Sequence, residues 1–212
     1  MPHPSLRVEP KPAFIERYQQ LTDYDAFMEC SMQFLRKAIR VNTVKSSVAE
    51  IKKRLEKEWI LIPVPWCPEG FWIEHRGKIN AEGEVRKRRD IGNLPEHVLG
   101  YVYVQEAASM IPPVVLDPQP GEKILDLTAA PGSKTSQIAA LMGCVGELVA
   151  NDNNKIRFFK LKHNMECLNV IPTARNDSWK FTLRMEYGSS LCREFPGYFN
   201  RVLLDAPCSA EA

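Results

Sequence analysis

The chain has 212 residues, of which 44% are hydrophobic and 25% charged, so it can bury one large core or two modest ones. A net charge of +2 gives no general attraction for nucleic acid, and no apolar run approaches the roughly 18 residues of a membrane span. The start of the chain lacks the apolar segment of a signal peptide, and none of the six cysteines forms a C-x-x-C pair. These features predict a cytoplasmic protein with no membrane association and no metal site.

The first hundred residues predict a small mixed α/β module. Ser46-Ser47 precedes an apolar periodic segment, and Glu50 lies three residues after Ser47, as in a capping box. The prolines at positions 63, 65 and 68 are expected to interrupt regular structure. The predicted elements are a helix over 14–39, a strand over 39–43, a helix from Ser47 to about Trp59, strands over 70–73 and 101–104, and a helix from Gln105 that is either ended or bent near Pro112-Pro113.

From Gly121 onward, short apolar runs alternate with helical segments. This alternation is typical of an open parallel sheet, in which ligands bind at the carboxyl ends of the strands. The predicted elements are strands over 124–127, 148–150, 173–175 and 201–204, and helices over 133–142 and 155–167.

Four carboxylates, Asp126, Asp152, Asp177 and Asp205, end or follow the four apolar runs. One acid at a strand end is usually a helix cap, but four in succession predict a single crevice at one sheet edge. The spacing from Asp126 to Asp152 suits a carboxylate that binds ribose hydroxyls, with Asp177 placed to approach a base. An adenosine-containing ligand with an amino-acid tail fits this pattern as well as a dinucleotide does.

The turn after the first strand, Thr128 to Thr135, contains small residues and Gly132, so a ligand can lie against its backbone. Ser133 is predicted to cap the following helix, whose N-terminus favours a polar or anionic ligand group. The Gly-Ser-Lys-Thr segment is not a phosphate-binding P-loop, because the earlier glycine of that motif is replaced by Leu127.

Several stretches resemble one family. "DLTAAPGSKTSQIA" and "DAPCS" together resemble the RNA cytosine-C5 methyltransferases of the Nol1/Nop2/Sun group, with archaeal tRNA-modifying members most similar. "YVYVQEAASM" resembles the segment before the catalytic domain of that family. "IRVNTVKSSVAEIKKRL" and "VPWCPEGFWI" resemble its N-terminal RNA-binding module.

The resemblance implies a Rossmann-like S-adenosylmethionine-dependent methyltransferase fold preceded by a small α/β RNA-binding module. The module with its helical lead-in would occupy residues 1–97, and the N-terminal part of the catalytic domain residues 98–212. The activity implied is transfer of a methyl group to C5 of cytosine in RNA, with tRNA favoured over rRNA. The cofactor residues implied are Thr128, Ala129, Ala130, Pro131, Gly132, Ser133, Lys134, Asp152, Asp177 and Asp205.

The resemblance also assigns the reacting groups. Asp205 would lie near the methyl group and the target base, and Cys208 would assist product release. The attacking cysteine of the family lies in a Thr-Cys motif, and no such pair occurs in this sequence. The basic run Arg86, Lys87, Arg88 and Arg89 is either a solvated loop or a contact to RNA phosphates.

Two departures from the family pattern qualify this reading. Ala210 and Ala212 stand where the family usually has glycine, and a complete fold of this class has about three further strands. We therefore expect a truncated chain that is inactive alone. The alternative is a non-catalytic RNA-binding or assembly protein that retains the cofactor fold.

Overall fold

The computed structural model describes residues 10–33, 35–79, 85–86, 91–172 and 177–206, which form two compact units. The smaller unit holds helices α1 (Pro12–Leu21) and α2 (Tyr24–Ser31), and the larger begins at Lys37 and holds every later element. No helix in these ranges is both long and apolar enough to cross a membrane.

The prediction of one helix over 14–39 is wrong, because the segment contains two helices and a strand. Asp23 starts the second helix: its carboxylate accepts hydrogen bonds from the amides of Asp25 and Ala26, both at 3.1 Å. An aspartate in this N-cap position favours a new helix start over continuation of the previous helix. The two helices pack against each other through aromatic side chains: the rings of Tyr18 in α1 and Phe27 in α2 have centroids 4.7 Å apart.

The N-terminal sheet of the larger unit has four antiparallel strands in the order β2-β3-β1-β6. Helix α3 covers one face, and its Ile51 and Leu55 are buried against strand residues such as Ile39. The predicted cap is confirmed, since Ser47 Oγ accepts a 3.2 Å hydrogen bond from the amide of Glu50. The elements are β1 (Ala38–Val41), α3 (Val48–Leu55), β2 (Trp59–Val64), β3 (Cys67–His75), β4 (Lys78–Ile79), β5 (Val85–Arg86), α4 (Pro95–Val98) and β6 (Val102–Val104).

The prediction from Pro63, Pro65 and Pro68 is right only in part. Pro65 lies in the turn between β2 and β3, but Pro68 lies in β3. Pro63 lies in β2 opposite Phe71, next to a shift in register; β2 is at the edge of its sheet, so the missing amide donor is tolerated there. The helix predicted from Gln105 to Pro112-Pro113 is a 3-10 turn over Ala108–Met110, followed by α5 (Ile111–Leu116). The two prolines begin α5 because the first helical turn needs no amide donors.

The second sheet is parallel, with four described strands in the order β10-β7-β8-β9. Alternate residues point to opposite faces: Ile124 and Leu148 pack under α6 and α7, and Leu125 and Val149 pack with Leu191 of α8. This Rossmann-like arrangement confirms the predicted fold class. The elements are β7 (Lys123–Asp126), α6 (Ser133–Leu141), β8 (Gly146–Asn151), α7 (Lys155–Cys167), β9 (Trp179–Arg184), α8 (Gly188–Glu194) and β10 (Arg201–Leu203).

Strand β6 belongs to the N-terminal sheet. It lies after residue 97, in the segment that the sequence assigns to the second domain, yet it pairs with β1 in the N-terminal sheet. The two sheets are therefore parts of one compact unit, and residues of β1 lie close to the helices of the second sheet.

Gly146 allows β8 to begin close to the preceding turn. Its φ is +111°, and a Cβ at this position would lie 2.5 Å from the carbonyl oxygen of Glu122. Other residues avoid this φ and cannot accommodate the backbone contact. We expect Gly146→Ala to lower the free energy of unfolding by about 3 kcal/mol, measured by urea denaturation.

Gly197→Ala is the matched control. Gly197 also has a positive φ, +65°, but a Cβ there meets nothing within 4 Å. Its substitution is expected to cost about 1 kcal/mol. Equal losses in the two variants would contradict the steric explanation for Gly146.

Candidate functional site

The turn between β7 and α6, residues 127–132, forms the floor of the candidate site. Gly132 has a φ of +105°, which favours glycine; a Cβ there would also lie 2.5 Å from Met165 Cε, the terminal methyl of a flexible side chain. The prediction that Ser133 caps α6 is wrong: Gly132 is the N-cap, no side chain caps the helix, and Ser133 is its first residue. The amides of the first turn are thus left for a polar ligand group.

Asp126 supports this turn from beneath. It is 1% exposed, and its Oδ2 accepts a 2.6 Å hydrogen bond from the hydroxyl of Thr135. Burial raises the pKa of Asp126 to about 6, although the bond from Thr135 and the charge of Lys134 oppose the shift. Asp126 therefore fixes the turn to α6 and does not reach the surface of the crevice.

Asp152 also holds the turn, from the end of β8. Its Oδ2 accepts from the amide of Ala130 at 3.3 Å and lies 3.2 Å from an Arg157 guanidinium nitrogen. Its Oδ1 accepts from the amide of Asn154 at 3.0 Å. The residue is 2% exposed, so its carboxylate lies at the base of the crevice, against the turn.

Helix α7 binds the carbonyl side of the same turn. The guanidinium of Arg157 donates to the carbonyl oxygen of Ala130 at 2.7 Å. The amide of the Asn164 side chain donates to the carbonyl oxygen of Pro131 at 2.8 Å. These contacts satisfy backbone groups that the turn itself cannot pair.

Lys134 joins the turn to the end of β10. Its Nζ lies 2.6 Å from Asp205 Oδ2 and donates to Ser109 Oγ at 3.1 Å. Thr128 makes a second connection, since its hydroxyl donates to the carbonyl oxygen of Asp205 at 2.9 Å. Lys134 is therefore not a simple surface charge: its side chain is 17% exposed, while that of Asp205 is 56% exposed and faces the crevice edge.

The structure does not bring Asp177 to this site. The strand predicted over 173–175 lies outside the described residues, and the third described strand of this sheet is β9, which begins at Trp179. Asp177 precedes β9 and Ser178 accepts from the amide of Gly146, so Asp177 lies at the amino edge of the sheet. Since the strands are parallel, the crevice is at the other edge, where β9 ends at Arg184.

Glu186 follows β9 at the crevice edge, and the sequence reasoning missed it. The side chain of Asn151 donates to the carbonyl oxygens of Leu127 and Glu186, both at 3.0 Å, and accepts from the amide of Glu186. Asn151 thereby ties together the ends of three strands. Asn151 is a polar residue at the last position of the buried strand β8, and this was the signal in the sequence that could have pointed to this part of the site.

The remaining predicted residues fall outside this geometry. Cys208 and the basic residues Lys87, Arg88 and Arg89 lie outside the described residues, and Arg86 is described only by its place in β5. The site that the structure does assemble consists of the turn from Thr128 to Lys134, together with Asp152 and Asp205.

A turn of small residues with a glycine at its end, an uncapped helix N-terminus and acids at the carboxyl edge of a parallel sheet define a Rossmann-like ligand-binding protein. Two family models then match the chain: "N-terminal domain of 16S rRNA methyltransferase RsmF" over residues 11–107, and "16S rRNA methyltransferase RsmB/F" over residues 113–212. The chain belongs to this methyltransferase family, and the resemblance to the Nol1/Nop2/Sun group is confirmed.

Individual relatives agree with the family match. The chain is 41% identical over 216 residues to the ribosomal RNA small subunit methyltransferase F of Vibrio parahaemolyticus, covering 99% of this chain and 41% of that protein. It is 42% identical over 199 residues to the tRNA (cytosine(49)-C(5))-methyltransferase of Pyrococcus abyssi, covering 92% and 57%. The chain thus spans about half the length of these curated relatives.

A solved structure of a methyltransferase homolog protein from Pyrococcus horikoshii has the same fold. It is 31% identical, with a TM-score of 0.69 over 94% of this chain and 64% of that chain. The likeness covers both sheets, in agreement with the methyltransferase fold and N-terminal module predicted from the sequence.

The buried Asp126 predicts a pH-dependent stability. Its pKa rises from 3.8 in the unfolded chain to about 6 in the folded protein, so the folded state binds the proton more tightly. This group therefore contributes stability below pH about 4, and the contribution is lost as the pH rises to about 6. Asparagine does not titrate, so the stability of Asp126→Asn relative to wild type should increase over that interval by up to about 3 kcal/mol.

Urea denaturation of both proteins across this pH range measures the difference. The comparison cancels the titration of every other group that the substitution leaves unchanged. A difference that stays constant with pH would contradict a raised pKa for Asp126.

Proposed function

We propose that this protein is an S-adenosylmethionine-dependent methyltransferase acting on C5 of cytosine in RNA. The observation that carries the proposal is the ion pair between Lys134 and Asp205. It joins the candidate cofactor turn to the strand end where, by the family resemblance, the target base is methylated. Family membership and the printed activities of two relatives support the same reaction.

The proposed cofactor residues are the turn from Thr128 to Lys134, Asp152 and Asp205. Three features of the turn suit an amino acid and nucleoside ligand: buried small residues at Ala129 and Ala130, the glycine N-cap at Gly132, and first-turn amides without a side-chain cap. The cofactor, when bound, supplies an electrophilic methyl group. Asp177 is not included, because it lies at the opposite edge of the sheet.

The role of Asp152 is to bind ribose hydroxyls and to shape the turn. Its Oδ2 is occupied by the amide of Ala130 and the guanidinium of Arg157, whereas Oδ1 accepts only from the amide of Asn154 among the described groups and has a further lone pair for a ligand hydroxyl. Arg157 keeps the carboxylate oriented toward the turn.

The N-terminal module, residues 1–97, is proposed to bind RNA, and residues 98–212 to form the N-terminal part of the catalytic domain. The basic run from Arg86 to Arg89 is a proposed phosphate contact. We propose tRNA ahead of rRNA, following the motif resemblance to archaeal tRNA-modifying members. Identities of 42% to a tRNA enzyme and 41% to an rRNA enzyme make rRNA the alternative to test.

Modification of tRNA or rRNA would take place in the cytoplasm, which is the proposed location. Bisulfite sequencing of tRNA and rRNA from cells with and without the gene identifies the substrate. Loss of a methylated cytosine from rRNA alone would overturn the tRNA preference, and no loss from either RNA would overturn the proposed activity.

The chemistry requires a thiolate that adds to C6 of cytosine, which makes C5 nucleophilic toward the methyl group. The C5 proton is then removed and the thiolate eliminated. By resemblance, Cys208 assists this release and Asp205 lies beside the base. The attacking cysteine belongs to a Thr-Cys motif that the 212 residues do not contain.

The alternative function is a non-catalytic RNA-binding or assembly protein that retains the cofactor fold. The two proposals differ in a simple observation. A methyltransferase leaves a cytosine in cellular RNA modified, whereas an assembly protein leaves RNA methylation unchanged when its gene is removed.

Asp152→Ala is expected to weaken S-adenosylmethionine binding at least tenfold. It removes the carboxylate that is proposed to bind the ribose hydroxyls, which is also the acceptor that orients the amide of Ala130. Isothermal titration calorimetry of the purified chain measures the affinity, with circular dichroism as a check of folding. Glu166→Ala, which removes an exposed acid from the far end of α7, is the matched control. Wild-type affinity in Asp152→Ala would contradict the assignment.

The 212-residue chain by itself is expected to bind the cofactor without methylating RNA, because it lacks the Thr-Cys nucleophile. Incubation with tRNA and rRNA transcripts, followed by mass spectrometry for 5-methylcytidine, tests this expectation. Robust product formation would show that a cysteine within these residues attacks the base, and Cys208→Ala would then identify whether it is Cys208.

A further inference from the structure

Arg40 of β1 is a fully buried cation directed at the start of helix α6. It is 1% exposed, and its Nε donates to Gln105 Oε1 at 3.0 Å. One terminal nitrogen donates to Ser136 Oγ at 2.6 Å and to the carbonyl oxygen of Ser133 at 3.3 Å. The guanidinium thus links the N-terminal sheet to the first turn of the helix that begins at the cofactor turn.

This arrangement is energetically costly. Within the described residues Arg40 forms no salt bridge, and the acceptors named above are all neutral. Burial lowers the pKa of Arg40 to about 10, partly opposed by Cys67 and Glu69. A buried charge without a carboxylate partner contributes little net stability compared with an apolar residue of similar volume.

The network around Arg40 continues toward the Lys134–Asp205 ion pair. Gln105 Nε2 donates to the carbonyl oxygen of Ser109 at 3.1 Å and to Gln137 Oε1 at 3.2 Å. Ser109 Oγ in turn accepts from Lys134 Nζ. Arg40 therefore contacts the start of α6 at Ser133 and Ser136. Through Gln105 it also orders Ser109, which accepts the hydrogen bond from Lys134.

We propose that Arg40 is a positioning residue that holds the first turn of α6, and with it Lys134, in the geometry needed for cofactor binding. The inference rests on the proposed function, since it names the group that shapes the same cofactor site. Arginine suits this role because its planar fork donates to several acceptors in fixed directions, whereas lysine has a single charged nitrogen.

A purely structural role makes a different prediction. If Arg40 only joins the two sheets, its loss alters the unfolding temperature and leaves the affinity of the folded protein unchanged. A positioning role lowers the affinity of a protein that remains folded. Arg40→Met separates the two, because methionine fills similar space without the charge or the hydrogen bonds.

The experiment titrates wild type, Arg40→Met and Arg40→Lys with S-adenosylhomocysteine by calorimetry, well below each unfolding temperature. We expect at least tenfold weaker binding for Arg40→Met and an intermediate affinity for Arg40→Lys. Hydrogen exchange should accelerate at the amides of Ser136 and Gln137, the first amides of α6 that are bonded within the helix. Arg54→Met, an exposed arginine of α3 in the same module, is the control and should bind as wild type does.

Wild-type affinity in folded Arg40→Met would overturn this inference alone, as would equal weakening in Arg54→Met. Absence of binding by wild type would overturn the proposed function and this inference together. Should Arg40→Met fail to fold, Ser136→Ala decides, because it removes one acceptor and retains the arginine. A severalfold loss of affinity in Ser136→Ala supports the role, and an unchanged affinity refutes it.

Discussion

The site depends on how the backbone of one turn is held. A turn that lies against a ligand offers its own small residues to that ligand, so other elements must pair its buried carbonyl and amide groups. Here strand β1, the end of strand β8 and the helices α6 and α7 each contribute groups that pair with this backbone. The groups that do so are Arg40 on β1, Thr135 on α6, Asp152 after β8, and Arg157 and Asn164 on α7.

Much of this architecture was predictable because local signals agreed with the tertiary fold. Helix α7 was predicted with the bounds that the structure shows, since a strand and a capping Asn154 precede a long segment of good helix formers. The turn from Thr128 to Lys134 and the acids Asp152 and Asp205 were placed at one sheet edge by the alternation of elements alone.

The errors occur where the local sequence does not determine where an element begins or which distant residues it contacts. Asp177 was assigned to the crevice because a strand was predicted before it, whereas the acid precedes strand β9 and therefore lies at the opposite edge of the sheet. Pro112 and Pro113 were read as a helix end although they begin α5. The partners Arg40, which is buried, and Arg157, which is partly exposed, carry no local signal, since their positions follow from contacts between segments distant in sequence.

The polar side chains between Arg40 and Lys45 form hydrogen bonds with other segments of the same chain. The side-chain amide of Asn42 donates to the carbonyl oxygens of Gly100 and Leu168, both at 2.9 Å, and Lys45 Nζ donates to that of Cys167 at 3.0 Å. Lysine at the end of α7 also complements the helix dipole. Arg40 of β1 thus contacts the start of α6, and the residues that follow β1 contact the end of α7, so this segment joins the N-terminal sheet to both helices. An RNA bound to the module, as proposed, would be held by other cations, such as exposed Lys53 on α3.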